Sequence, residues 1–280
     1  MTSAFWLQVV ADGLKVPENR PLDEMTADLT RMLGDSDPDV RDGIAFPTLG
    51  TWISEGVYDD LLRGLGDGMC SGLDVGLGEE TGDSVFRRSF SALVLTECID
   101  RDSVADLLTR DQVLRWGDRI AGWLLRERDL RGFVPGHGWA LALAHGADAL
   151  GAMMRSPKLG QMELVVLLDV IADRLLQPTE TFFVCGEDDR IAAACLHGLR
   201  RNLLGIDVLD SWIARIAAAA VPSGSAQRNP YLVAGNAQSF LRSLHLQLAL
   251  APDPPLLRTD LLLVLIEHLR ATNKPYLAQS

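Results

Sequence analysis

Residues 129–150, DLRGFVPGHGWALALAHGADAL, constrain the fold most, because a loop signal passes abruptly into a helical pattern. Pro135, Gly136 and Gly138 interrupt regular structure, and from Trp139 the composition turns to Ala, Leu, Gly and Met. At 100° per residue, the residues suited to core packing share one side of this helix: Trp139, Leu143, Gly146, Leu150 and Met153. The sequence therefore predicts a buried helix that begins at Trp139.

The opposite side of the same helix carries Leu141, His145 and Asp148. His145 and Asp148 are three residues apart, so they lie one turn apart on one stripe and could share a ligand, a proton or a metal ion. A surface hydrogen-bonded pair is the commoner arrangement at this spacing. Four more side chains crowd the approach to the helix, namely Asp129, Arg131, His137 and Trp139. This neighbourhood favours a functional site.

Helical periodicity recurs along the whole chain, whereas the alternating pattern of strands is absent. The predicted helices span roughly residues 5–16, 22–33, 58–69, 85–99, 111–126, 139–153, 161–176, 187–202, 207–220, 231–250 and 256–271. Aromatic residues make up only 6% of the chain, so Leu, Ala and Val must fill the core, which favours helices over sheets. We expect an all-α fold of about a dozen helices, arranged as an irregular right-handed α-α superhelix with a concave groove. A single domain should span residues 1–280.

The net charge of the chain indicates which class of partner to expect. Twenty-six basic and 38 acidic residues give a net charge of −12, which argues against nucleic acid or an anionic membrane. The partner should instead be a neutral or basic small molecule or peptide. The Gly-rich stretch 72–83 lacks the context of a phosphate-binding loop, and no catalytic motif is recognisable, so no cofactor is expected.

Several features predict a cytoplasmic protein. The four cysteines lack C-x-x-C spacing and lie among apolar or small residues, as buried free thiols in a reducing compartment do. The first residues show no secretion signal. The most apolar segments, MELVVLLDVIADRLL and TDLLLVLIEHL, carry charges and are too short to span a membrane.

Four other residues and one segment carry further predictions. Glu97 shares a stripe with Phe86 and Phe90, so its carboxylate should either pair with a buried arginine or line a cavity. Asp188 and Arg190, in GEDDRIAAA, are second-choice site residues on a helix whose first-turn acids otherwise fit the helix dipole. Pro47 should kink or split its helix. Residues 221–230, VPSGSAQRNP, are the most linker-like stretch.

Four segments carry a resemblance to a bacterial family known only as a domain of unknown function, over nearly the whole chain: MLGDSDPDVRDGIAFPTLGTWI, GLGDGMCSGLDVGLGEETGDSVFRRSFSALVL, RDLRGFVPGHGWALALAHGADAL and GEDDRIAAACLHGLRRN. The first is also similar to the second helix of HEAT-type repeats, which implies structural roles for Asp39 and Arg41. The family's central helix usually reads GWAHAxAHGAD. Leu141 replaces its second histidine, so the resemblance implies no metal site here, and His137 could substitute only from the loop.

The leading functional hypothesis is a helical-repeat binding protein whose groove or pocket lies near His145. Its ligand-binding residues would be Arg131, His137, Trp139, His145, Asp148 and Arg190. The alternative is a hydrolase or cyclase-like enzyme with His145 as general base, oriented by Asp148 or Asp188, while Arg131 or Arg190 steadies an anionic intermediate. A purely structural role in an assembly is the third hypothesis.

Overall fold

The computed structural model describes residues 1–222 and 229–277. The chain divides into two compact units, Met1–Lys158 and Leu159–Ser280. The predicted all-α class is confirmed in both. The superhelical arrangement and the single-domain organisation stay predictions. Residues 223–228 of the predicted linker lie outside the described residues.

The first unit is helical except for one small hairpin. Its elements in chain order are α1 (Ser3–Ala11), α2 (Leu22–Met32), α3 (Pro38–Val40), a π-helical turn (Arg41–Ala45), α4 (Phe46–Ser54), a 3-10 turn (Asp59–Leu61), α5 (Leu62–Gly72), α6 (Ser84–Ala105), α7 (Arg110–Arg126), β1 (Phe133–Val134), β2 (Gly138–Trp139) and α8 (Ala142–Arg155). Pro47 lies in the first turn of α4, directly after the π-helical turn, and the backbone stays helical from Pro38 to Ser54, so Pro47 does not split the helix.

Helix α6 is the centre of this unit. It packs most extensively against α8 and also contacts α4 and α5. Its buried residues include five polar ones, Arg88, Ser89, Ser91, Thr96 and Asp102. Asp102 ends the helix locally, because its Oδ1 accepts from the backbone N–H groups of Leu107 and Leu108 and both its oxygens accept from Lys158 Nζ. The charge buried at the end of α6 is thus compensated.

The predicted start of the central helix is wrong. Trp139 belongs to β2, where it pairs with Phe133, and α8 begins three residues later at Ala142. Gly136 and Gly138 adopt positive φ and allow the tight turn, and Leu141 precedes α8 with a left-handed φ of 50°. Trp139 therefore does not join the core-facing side, and Leu141 does not share the stripe of His145.

The second unit contains only helices among its described residues. They are α9 (Gln161–Leu176), α10 (Glu187–Arg200), α11 (Ile206–Ala219), α12 (Tyr231–Leu250), α13 (Arg258–Thr272) and α14 (Lys274–Leu277). Helix α12 contacts α9, α10, α11 and α13, and α11 contacts α9 and α13. The bounds of α9 and α12 are those predicted from apolar periodicity.

All four cysteines are free; Cys70, Cys98 and Cys195 are buried as expected, whereas Cys185 is half-buried. In the described ranges, every helix is either too short or too polar to traverse a lipid bilayer.

Candidate functional site

Two aromatic side chains project into solvent from the segment that joins α7 to α8. We call residues 129–141 the α7–α8 hairpin. Phe133 and Trp139 are cross-strand partners with exposed fractions of 55% and 45%, and their rings meet edge to face at a centroid distance of 5.1 Å. Side chains of this size usually cover apolar surface in a folded chain. The exposed pair is therefore the first candidate for a contact surface.

Arg41 holds the turn of the hairpin from the protein interior. Its side chain is fully buried, and its guanidinium carbon lies 4.1 Å from the ring centroid of Phe86 and 5.0 Å from that of Phe90. Nη2 donates to the backbone oxygen of His137 at 2.8 Å. The same nitrogen donates to Asp42 Oδ2 at 2.7 Å, which compensates the buried charge. Arg41 thus holds the turn of the hairpin in place.

His137 lies on the inner side of this turn. Its ring centroid is 6.2 Å from that of Phe86, and Nδ1 is 3.3 Å from the backbone oxygen of Ser36. Beside it, a Cβ on Gly138 would come within 3.1 Å of Pro38 Cβ, so the strand lies directly against α3. His137 therefore contributes packing and a backbone contact to the seat of the hairpin.

Arg131 fixes the other end of the hairpin. Its Nε and Nη2 donate to the two carboxylate oxygens of the buried Asp129 at 2.8 and 2.6 Å, and Nη2 also donates to Gly82 O at 2.7 Å. The hydrogen bond with Asp129 raises the pKa of Arg131 further above its ordinary value. A guanidinium held in this way is a tether between the hairpin and the loop before α6.

His145 is buried between α8 and α6, with 5% of its surface exposed. Its Nδ1 lies 2.6 Å from Ser89 Oγ, and its ring meets that of Phe90 edge to face at 5.1 Å. Ser89 Oγ also donates to the backbone oxygen of Ala140. Because a carbonyl oxygen only accepts and Ser89 has one hydroxyl proton, Nδ1 must carry the hydrogen that points to Ser89. His145 thereby supports the last residues of the hairpin.

The hydrogen bonds of Ser89 and His145 limit the catalytic roles that these two side chains can have. Ser89 is fully buried and its proton is committed to Ala140, so the hydroxyl is not presented as a nucleophile. A hydrogen on Nδ1 leaves Nε2 as the nitrogen that could take up a proton in the neutral ring. Ser89 was not singled out from the sequence. Its one signal was its place next to Phe90 in the predicted helix of residues 85–99.

Asp148 lies one turn beyond His145 and is half-buried near a carboxylate of α6. That carboxylate is Glu97, whose pKa is raised first by burial and then by the charges of Asp100 and Asp148, while Arg155 opposes the shift. The expected arginine partner is nearby, but Arg155 makes its two hydrogen bonds, at 3.1 and 2.6 Å, to Asp100. Of the two alternatives predicted for Glu97, the pairing with an arginine is therefore not formed, and its carboxylate lies near those of Asp100 and Asp148.

The raised pKa of Glu97 predicts a pH-dependent stability. The folded protein binds the Glu97 proton more tightly than the unfolded chain does, so stability falls as pH rises through the interval between the two pKa values. Glu97→Gln removes the charge, and we expect it to raise Tm by about 2 °C at neutral pH and to leave Tm unchanged at about pH 4. Thermal unfolding at both pH values is the measurement.

The control for this prediction is Glu267→Gln, which changes an exposed glutamate on α13. It should shift Tm little at either pH, since surface substitutions have small effects. A difference in Tm between Glu97→Gln and the wild type that is the same at both pH values would contradict the account of Glu97.

Asp188 and Arg190 lie in the second unit, in the first turn of α10. Asp188 Oδ2 accepts from Ser243 Oγ at 3.3 Å, so it faces α12. Next to it, the buried Glu187 accepts from the backbone N–H of Cys185 at 2.7 Å, which stabilises the start of the helix. Arg190 is half-buried. Asp188 thus has a packing role within its own unit.

The residues that could hold a metal ion are dispersed. Within residues 1–222 and 229–277, no three His, Cys, Asp or Glu side chains are close enough to form a metal site. Leu141 is the left-handed residue directly before α8. The described side chains therefore offer hydrogen-bonding and aromatic chemistry at this site.

The chain is a helical protein with an exposed aromatic pair on a hairpin that buried polar contacts hold in place. It belongs to the family described as "Protein of unknown function (DUF2785)", whose model matches residues 73–246. This range runs from the end of α5 into α12 and includes the hairpin, so the family prediction is confirmed. No curated protein and no solved structure matches the chain.

Proposed function

We propose that this protein is a binding protein whose recognition surface is the α7–α8 hairpin. The single observation that carries the proposal is the exposed Phe133–Trp139 pair on a backbone held by Arg41. A fixed pair of rings offers contact area at a small cost in conformational entropy, since the backbone is already ordered. Trp139 is the residue we expect to contribute most.

The ligand class follows from charge and ring chemistry. The chain carries a net charge of −12, and Asp83 is exposed in the loop that Arg131 ties to the hairpin. Aromatic faces attract cations, and a negative surrounding field strengthens that preference. A neutral or basic small molecule or peptide is therefore the proposed ligand.

The other predicted ligand-binding residues fall into two groups. Arg131, His137 and His145 hold the hairpin in this proposal, and their substitution would act through its position. Asp148 and Arg190 stay predicted ligand contacts. Burial of His145 and the committed proton of Ser89 favour binding over general-base catalysis, because a base must reach the substrate.

A ligand screen tests this proposal. Thermal shift should find hits among quaternary ammonium compounds, aromatic amines and short peptides that contain Lys or Arg. Trp139→Ala should weaken each hit at least about tenfold, as loss of a central aromatic contact does. Tyr276→Ala, which removes an exposed ring from α14, is the matched control and should leave the affinities unchanged. Hits that bind Trp139→Ala with wild-type affinity would refute the location.

A further inference from the structure

A groove lies between α9 and α11 in the second unit, apart from every residue discussed above. Its volume is about 460 Å³. Val165 and Leu168 line it from α9, and Val208 and Trp212 line it from α11. Trp212 is locked in place because its Nε1 donates to the backbone oxygen of Leu168 at 2.8 Å. The groove therefore has a rigid apolar floor.

The apolar surface continues beyond the groove along α9. Met162 and Val166 follow the helical spacing of the floor and have exposed fractions of 80% and 59%. The third apolar side chain at this rim, Val208, is 39% exposed. Exposed apolar residues that line up along one helix mark contact surfaces more often than isolated ones do.

The rim of the groove is acidic. Asp169 and Asp207 line it, and Asp173 lies one turn further along α9. The basic side chain of the groove, Arg215, is taken up by Asp169 at 3.4 Å and by Asp173. Three carboxylates against one guanidinium leave the rim net negative. A second copy of this chain, with its own net charge of −12, is disfavoured as the occupant.

We propose that this groove binds a basic amphipathic helix of a partner protein. The apolar residues of such a helix, spaced i, i+3 or i+4 and i+7, would cover Val165, Val208 and the Trp212 ring. Its Lys and Arg side chains would meet the carboxylates of the rim. A helix fits because the depression runs between two helices in contact, where a third helix can pack.

Three synthetic peptides of about 18 residues test the proposal, since that length gives five helical turns. They share one leucine stripe and carry Lys, Gln or Glu at the polar positions. Fluorescence anisotropy with the full chain should rank their affinities Lys above Gln above Glu. The preference for the Lys peptide should shrink as salt is raised beyond about 0.15 M.

Val208→Lys places a positive charge on the groove wall and should lower the affinity for the Lys peptide at least about tenfold. Val104→Lys, at an exposed valine of α6, is the matched control and should have no effect. Trp139→Ala should leave the affinity for the Lys peptide unchanged. This outcome distinguishes binding in the groove from binding at the α7–α8 hairpin. Equal affinities for the three peptides, unaltered binding by Val208→Lys, or no saturable binding up to about 1 mM would overturn the proposal.

Discussion

Glu127→Ala should lower the free energy of unfolding by about 4 kcal/mol, because it leaves the buried guanidinium of Arg88 without its counter-charge. Both side chains are completely buried, and the two hydrogen bonds between them measure 2.6 and 2.8 Å. Glu127 also accepts from Trp123 Nε1 at 2.8 Å and from the backbone N–H groups of Arg128 and Asp129. Urea-induced unfolding followed by circular dichroism measures the loss.

An exposed ion pair from the same region provides the control. Arg128 and Glu80 approach to 3.3 Å, but both side chains are largely in solvent. Glu80→Ala should change the free energy of unfolding by no more than about 0.5 kcal/mol. Similar losses for the two substitutions would contradict the assigned role of burial. Glu127 lies two residues before the α7–α8 hairpin and accepts a hydrogen bond from the backbone there, so Glu127→Ala should also speed amide exchange in the hairpin.

Gly66→Ala should be the second large effect, a loss of about 3 kcal/mol by overpacking. An added Cβ would lie 2.0 Å from Trp116 Cζ2. The ring cannot yield easily, because it is buried and its Nε1 donates to Asp67 Oδ1 at 2.9 Å. Asp67 is itself held by Gln112 Nε2 at 2.7 Å. Thermal and urea unfolding should both report the loss.

Gly68→Ala is the matched control on the same helix. No atom lies within 4 Å of the Cβ that it would add. Alanine is a better helix former than glycine, so Gly68→Ala should stabilise the protein by about 0.5 to 1 kcal/mol. Opposite signs for two glycines two positions apart on α5 would confirm that Trp116 packs on this helix. A gain in stability for Gly66→Ala would refute it.

The helices were largely predictable from the sequence, because their apolar periodicity is local. The bounds of α9 and α12 follow from it directly. The start of α8 could not be predicted in this way, because a strand of two residues is too short to show the alternating pattern of a strand. Trp139 followed Gly138 and preceded a small apolar run, so the pattern favoured a helix where the backbone makes a hairpin.

The contacts that hold the candidate site could not be predicted in the same way. Arg41 reaches the backbone of His137 across 96 positions, and Ser89 reaches His145 across 56. No periodicity encodes such a pairing; it depends on how α6 packs against the neighbouring helices. His145 and Asp148 were recognised as chemically notable, yet whether they face solvent or α6 was decided by that packing.

Fluorine NMR on protein labelled with 5-fluorotryptophan tests the central claim most directly. Five of the six tryptophans, Trp6, Trp52, Trp116, Trp123 and Trp212, are buried, and Trp139 is the exposed one. Trp139→Phe assigns its resonance by the line that disappears. We predict that only this line shifts between H₂O and D₂O and that it moves on addition of each ligand found in the screen. Ligand binding that moves other lines and leaves that of Trp139 in place would contradict the proposed recognition surface.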